Sequence, residues 1–212
     1  MSDLLHKASG RAERSHGIPL GLHINTATML ELNEVLLAGE ERTVTGMARE
    51  GQLTCLTGGT PERRRRWMEA MMGFEPLARG YISLDGEPLT AATTRELRSM
   101  MAFVPARLVP DGEVVVYDPP TVQDVFSLRA NRHVAISNGI LSEEMKRTGI
   151  DGDYAQWLAV AVLLARSILL VESPPPGAID YLEWQAASAG RTVIVATDNE
   201  AITARAGTVI EI

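Results

Sequence analysis

The sequence predicts an α/β fold, a mainly parallel sheet flanked by helices, with an N-terminal antiparallel β portion. Three observations carry this reading. Two short, almost wholly apolar runs, residues 168–171 and 192–196, lack polar alternation, as strands covered on both faces do. These runs alternate with helical stretches over the second half of the chain, the order that crossover units require. Residues 29–35 and 42–47, by contrast, alternate apolar and polar positions, as half-buried antiparallel strands do.

The elements follow in order. Residues 1–28 hold His6, His16 and His23 among charges and glycines, without a sustained period, and read as a mobile or docking arm ahead of one domain over 29–212. The spacing of those histidines matches no local ligand motif, so no metal site is expected. Gly39 turns the first strand into the second, and Gly51 leads into a short strand at 52–57. After Gly58-Gly59, Thr60-Pro61-Glu62 reads as a helix start: Thr as N-cap, Pro where a missing N–H costs nothing, Glu at the positive end of the dipole. That helix runs to about Met72 and stops at Gly73.

Gly80 precedes a strand at 81–84, closed by the turn Asp85-Gly86. Thr93 or Thr94 caps a helix through Met100, followed by a strand at 101–104. Residues 118–153 read as a reduced helical insert, with Thr121 capping one helix through Leu128 and a second, shorter helix at 142–148. An apolar helix at 154–166 then feeds the strand at 168–171, which Pro174-Pro175-Pro176 ends. Helices at 180–189 and 201–206 flank the strand at 192–196, and a strand at 208–212 closes the chain.

A chain of 212 residues suits one main domain with a substantial core. Asp+Glu 27 against Lys+Arg 20 gives a net charge of −7, which disfavours nucleic acid and anionic lipid as partners. The single Cys55 makes no intramolecular disulfide, and no positively charged leader opens the chain, so a reducing cytoplasm is the expected setting. Residues 157–171 fall short of the roughly 20 a bilayer requires, and Arg166-Ser167 interrupts them. They read as a buried helix and strand, without direct membrane insertion.

Five stretches carry a family resemblance through their order and spacing. They are CLTGGTPERRRRWMEAMMGFEPLARGYISLDG over 55–86, RELRSMMAFVP over 95–105, IDGDYAQ over 150–156, ILLVESP over 168–174 and RTVIVATD over 191–198. From residue 29 onward the chain resembles the nucleotide-binding domain of ABC transporters, a P-loop NTPase fold. The stretches stand in turn for its phosphate loop, Q-loop, signature, Walker B strand and switch strand. Such a domain cradles polyphosphate on a glycine-rich loop, with a Lys on the phosphates and a hydroxyl on Mg²⁺.

Here the resemblance implies substituted positions. The loop pattern falls on Gly58, Gly59, Thr60, Arg63, Arg64 and Arg65, where only the first glycine matches, and Pro61 removes a backbone donor. Ala106 stands at the Q-loop position, Glu172 at the metal-supporting carboxylate, Ser173 at the catalytic glutamate and Asp198 at the switch histidine. In the signature segment Gly152 and Gln156 remain, while Asp151 and Asp153 replace Ser and Gly. The adenine-stacking aromatic implied near Ala38 is absent.

The resulting expectation is a catalytically degenerate subunit with a structural or regulatory role and no catalytic residue, because phosphoryl transfer depends almost entirely on positioning and electrostatics. No cofactor is expected; the alternative is a divergent subunit that still binds ATP and Mg. The expected partners are a second copy, an active ATPase subunit or a membrane component. Membrane association would come through such a partner.

Several residues admit a sharp and a plain reading. Arg63 to Arg66 can grip an anion beside a helix N-terminus, or form an acid-paired or solvated face. The plain reading is preferred, because consecutive residues point around a helix and only one or two can converge on one ligand. Trp67, Met68, Met71 and Met72 are expected in the core by their helical spacing. Trp157 and Trp184 are expected as core or interface anchors, Cys55 as a small core residue and His133 at the surface.

Overall fold

The computed structural model describes residues 28–107 and 120–212, so the expected arm, apart from Thr28, lies outside the described residues. In chain order the elements are β1 (Met29–Leu37), β2 (Val44–Arg49), β3 (Leu53–Thr57), α1 (Pro61–Met71), β4 (Leu77–Leu84), β5 (Glu87–Pro88), α2 (Thr94–Ser99) and β6 (Met101–Val104). The second half contributes α3 (Val122–Ser127), α4 (Asn138–Arg147), α5 (Gly152–Leu163), β7 (Ile168–Glu172), α6 (Ile179–Ala187), β8 (Thr192–Ala196), α7 (Glu200–Thr203) and β9 (Thr208–Glu211).

The strands form two sheets. One is antiparallel, in the order β2-β1-β4-β5; the other is parallel, in the order β6-β7-β8-β3-β9. In the parallel sheet β3 lies between β8 and β9, so the loop after β3 opens beside the C-terminal ends of neighbouring strands. The apolar strands β7 and β8 are buried along their whole length, which explains why neither shows alternation.

Between the sheets lies α1. Its buried Trp67, Met68 and Met71 join one core cluster with Leu30, Leu32 and Ile82 of the antiparallel sheet and Leu170 and Ile194 of the parallel one. Met72, next after α1, is buried in the same cluster. On the other face of the parallel sheet α5 and α6 bury Leu158, Leu182 and Ala186 against Leu169, Val171 and Val193. Cys55 is buried, and burial pushes its thiol above the usual range. His133 is exposed. Trp184 is half exposed and stacks on Tyr181, ring centroids 6.5 Å apart.

Some boundaries differ from the sequence reading. Strands β1 and β4 extend beyond 29–35 and 81–84, because register irregularities near Asn33 and Leu36 break the period-2 pattern while the pairing continues to Leu37 and Leu77. The helix expected at 142–148 spans Asn138–Arg147: Ser137, not Ser142, is the N-cap, its hydroxyl accepting from Ile140 N–H. Glu144 of α4 is buried and accepts from the Tyr181 hydroxyl, which pins α4 to α6. Burial first, and then Glu144, push that phenol above its usual range. Thr121 caps α3 reciprocally with Asp124. Among the described residues no helix is long and apolar enough to cross a membrane.

Candidate functional site

The site is built where β3 hands over to α1. Gly58 and Gly59 hold φ of 92° and 61°, the left-handed region that glycine enters freely. A Cβ at Gly58 would meet the Ile212 carbonyl oxygen at 2.8 Å. Thr60 then turns extended and caps α1, its Oγ1 accepting from Arg63 N–H at 3.2 Å, while Thr60 O accepts from Arg64 N–H at 3.0 Å. Glu62 folds back on the same helix start: its own N–H and the Thr60 hydroxyl hold its carboxyl below the usual carboxylate range. Pro61 brings no N–H, so the donors of this first turn are answered from within the chain.

Thr60→Ala should cost about 1 kcal/mol of stability, the usual worth of a Thr N-cap. A urea titration followed by circular dichroism reads this directly, and an unchanged midpoint would mean that the hydroxyl does not hold the helix start.

The arginine run fans out around α1. Arg63 pairs with Glu40, Nε to Oε1 at 3.0 Å. Arg66 donates to Glu75 at 2.6 Å and to the Ala38 carbonyl at 2.9 Å. Arg65 reaches Glu69 at 3.4 Å and Glu172 at 3.7 Å. Arg64 turns inward, 2% exposed, with Nη1 donating to Gly59 O at 3.0 Å and Gly58 O at 3.3 Å, and Nη2 to Asp198 Oδ2 at 3.2 Å. Cations at a helix N-terminus oppose its dipole, and these carboxylates supply the compensating charge.

Glu172 ends β7 with its side chain 5% exposed, and its Oε2 also accepts from Ala106 N–H at 2.9 Å. Ser173 follows at φ 47°, its N–H donating to Ala196 O at 2.8 Å. Thus Gly58, Gly59, Thr60, Arg64, Arg65, Glu172 and Asp198 gather around one loop, at the C-terminal ends of β3, β7 and β8. Asp151, Gly152, Asp153 and Gln156 stand at the start of α5. Their link to the loop cluster is Tyr154, whose hydroxyl donates to Glu172 O at 2.7 Å. Sequence reasoning missed Glu40, Glu69 and Glu75 as arginine partners; Glu69, four residues beyond Arg65 on the same helix, was legible from spacing alone.

No family profile matches the chain. No curated protein matches it either. Solved structures do match. One is a bacterial Atm1-family ABC exporter with ATP bound, at TM-score 0.64 and 13% identity, covering 88% of this chain. This chain spans only 37% of that exporter's length. Another is CbiO1 from Clostridium perfringens, part of the ABC transporter complex CbiONQ, at TM-score 0.62 and 16% identity, covering 86% of this chain and 83% of that one. A third, an ATP-binding subunit of an ABC transporter, gives TM-score 0.64 and 18% identity over 87% of this chain and 85% of that one.

These neighbours overturn the expectation that no cofactor is taken, since one holds ATP and another is described as ATP-binding. That expectation weighs the substituted side chains and the donor lost at Pro61, whereas backbone N–H groups elsewhere in such a loop also hold phosphate. The parallel sheet flanked by helices and the antiparallel sheet agree with the sequence resemblance, and these neighbours share that architecture: the chain has the fold of an ABC-type nucleotide-binding domain.

Proposed function

We propose that the chain is an ABC-type subunit with a structural or regulatory role, one that acts by assembling with a partner rather than by turning over ATP. The observation that carries this reading is that Glu172 and Asp198, the carboxylates gathered at the loop, are each engaged by an arginine of α1. A carboxylate that is to hold Mg²⁺ or position water does so best with no fixed cation beside it, since the cation competes for the same charge. On Glu172 both contacts fall on Oε2, the Ala106 N–H at 2.9 Å and the Arg65 guanidinium at 3.7 Å, so a fixed positive charge already stands beside the carboxylate that would support a metal ion. Beside it Ser173 offers only a hydroxyl, a poor general base at neutral pH. The candidate partners are a second copy, an active ATPase subunit or a membrane component.

Purified protein incubated with Mg-ATP should release phosphate no faster than a protein-free blank. Release above the blank that Glu172→Ala abolishes would overturn the noncatalytic reading. The assembly half is tested separately: isolated from its native host, the chain should carry a stoichiometric partner. A chain that purifies alone and stays monomeric at high concentration refutes it.

A further inference from the structure

Arg64 is the member of the arginine run that is withdrawn from solvent. Two successive carbonyls, Gly58 O and Gly59 O, accept from its Nη1, so the loop wraps a cation. Its Nε is buried and finds no partner among the described residues. The carboxylate within ion-pair distance is Asp198 at 3.2 Å, whose side chain is 75% exposed and lies 134 residues further along the chain. A buried guanidinium with one nitrogen unanswered, whose ion-pair partner is largely solvated, is held less firmly than a fully satisfied one.

We propose that Arg64 is a resident plug, its guanidinium closing the loop Gly58–Thr60 from inside, with Asp198 as the latch that keeps it there. The proposal rests on the reading of this loop as a modified phosphate loop and names how that site is regulated. A polyphosphate anion cannot occupy the space of the guanidinium; it must draw Arg64 away from Asp198 and the two carbonyls. The bridge also ties the β3–α1 loop to the turn after β8, so release of the plug frees both segments together. Removing the latch leaves the buried cation without its carboxylate, and an incoming anion then supplies the missing charge.

The test is titration calorimetry of the full chain at low ionic strength with pyrophosphate, and in a parallel arm with Mg-ATP. Asp198→Asn should bind pyrophosphate at least about tenfold more tightly than the unmodified chain, the worth of one charge-assisted hydrogen bond. Glu87→Gln, an equal change of charge on the exposed edge strand β5, should leave the affinity unchanged. Adding Arg64→Met to Asp198→Asn should abolish the gain, because the guanidinium released from the loop is what the incoming anion pairs with. Asp198→Ser gives the same comparison with a smaller neutral side chain, and the exposure of Asp198 lets either variant fold. Equal affinity of Asp198→Asn and the unmodified chain, including no binding by either, overturns the plug, as does a gain matched by Glu87→Gln. None of these outcomes alters the phosphate-release result, so the plug and the noncatalytic reading fail separately.

Discussion

Trp67→Ala should lower the unfolding free energy by about 3–5 kcal/mol, among the larger losses a core truncation produces. Trp67 is fully buried on α1, in the cluster shared by the antiparallel and parallel sheets. Truncation removes a large apolar surface and leaves a cavity that two sheets must close at once, and close-packed interiors collapse only partly around such a loss. The indole Nε1 finds no hydrogen-bond partner among the described residues, and a buried donor left unanswered costs about 1–3 kcal/mol. Trp67→Phe discards that donor while keeping most of the ring, so it should cost less than half as much as the alanine variant. Urea titrations of both variants with a shared slope check the pair. A loss below about 1 kcal/mol for the alanine variant, the ordinary figure for a point substitution, would show that α1 is not what joins the sheets.

The joint at α1 also explains which parts of the molecule were legible. Strands β7 and β8 could be read because burial on both faces writes itself as an unbroken apolar run, and α1 because Thr60-Pro61-Glu62 and Gly73 punctuate it. The destinations of the arginines could not be read in full. The helical period says that Arg63, Arg64, Arg65 and Arg66 point in different directions, but not what stands opposite each. Glu40 and Glu75 come from separate loops and Asp198 from the turn after β8, the strand beside β3. The inward turn of Arg64 could not be read, since its two carbonyl partners are local but its carboxylate, Asp198, is brought in only by the pairing of β3 with β8. The start of α4 failed for a different reason: Ser137 and Ser142 are both competent caps, and choosing between them needs the packing of Glu144 against Tyr181. The cofactor reading failed because it gave the substituted side chains and the donor lost at Pro61 more weight than the fold shared with ATP-binding neighbours.

Gly80→Ala should destabilise the protein by about 2–5 kcal/mol, of which about 1–2 comes from forcing an L-residue into a left-handed conformation and about 1–3 from overpacking. Gly80 sits at φ 76° in β4, opposite the irregular part of β1 where Glu34 is itself at φ 47°. An added Cβ would fall 2.3 Å from Glu34 O and 2.4 Å from Asn33 O. Both obstacles are backbone, so relief requires moving β1 rather than rotating a side chain. Gly39 is the control: at φ 80° it carries the same conformational cost, but nothing lies within 4 Å of its Cβ position, so Gly39→Ala should lose only about 1–2 kcal/mol. Equal losses in the two variants, measured by urea titration, would mean that β1 yields freely at this bulge. The expected difference makes the bulge a fixed register mark: it holds Leu30, Leu32 and Ile82 over Trp67, and so helps set where α1 presents its arginines to the loop.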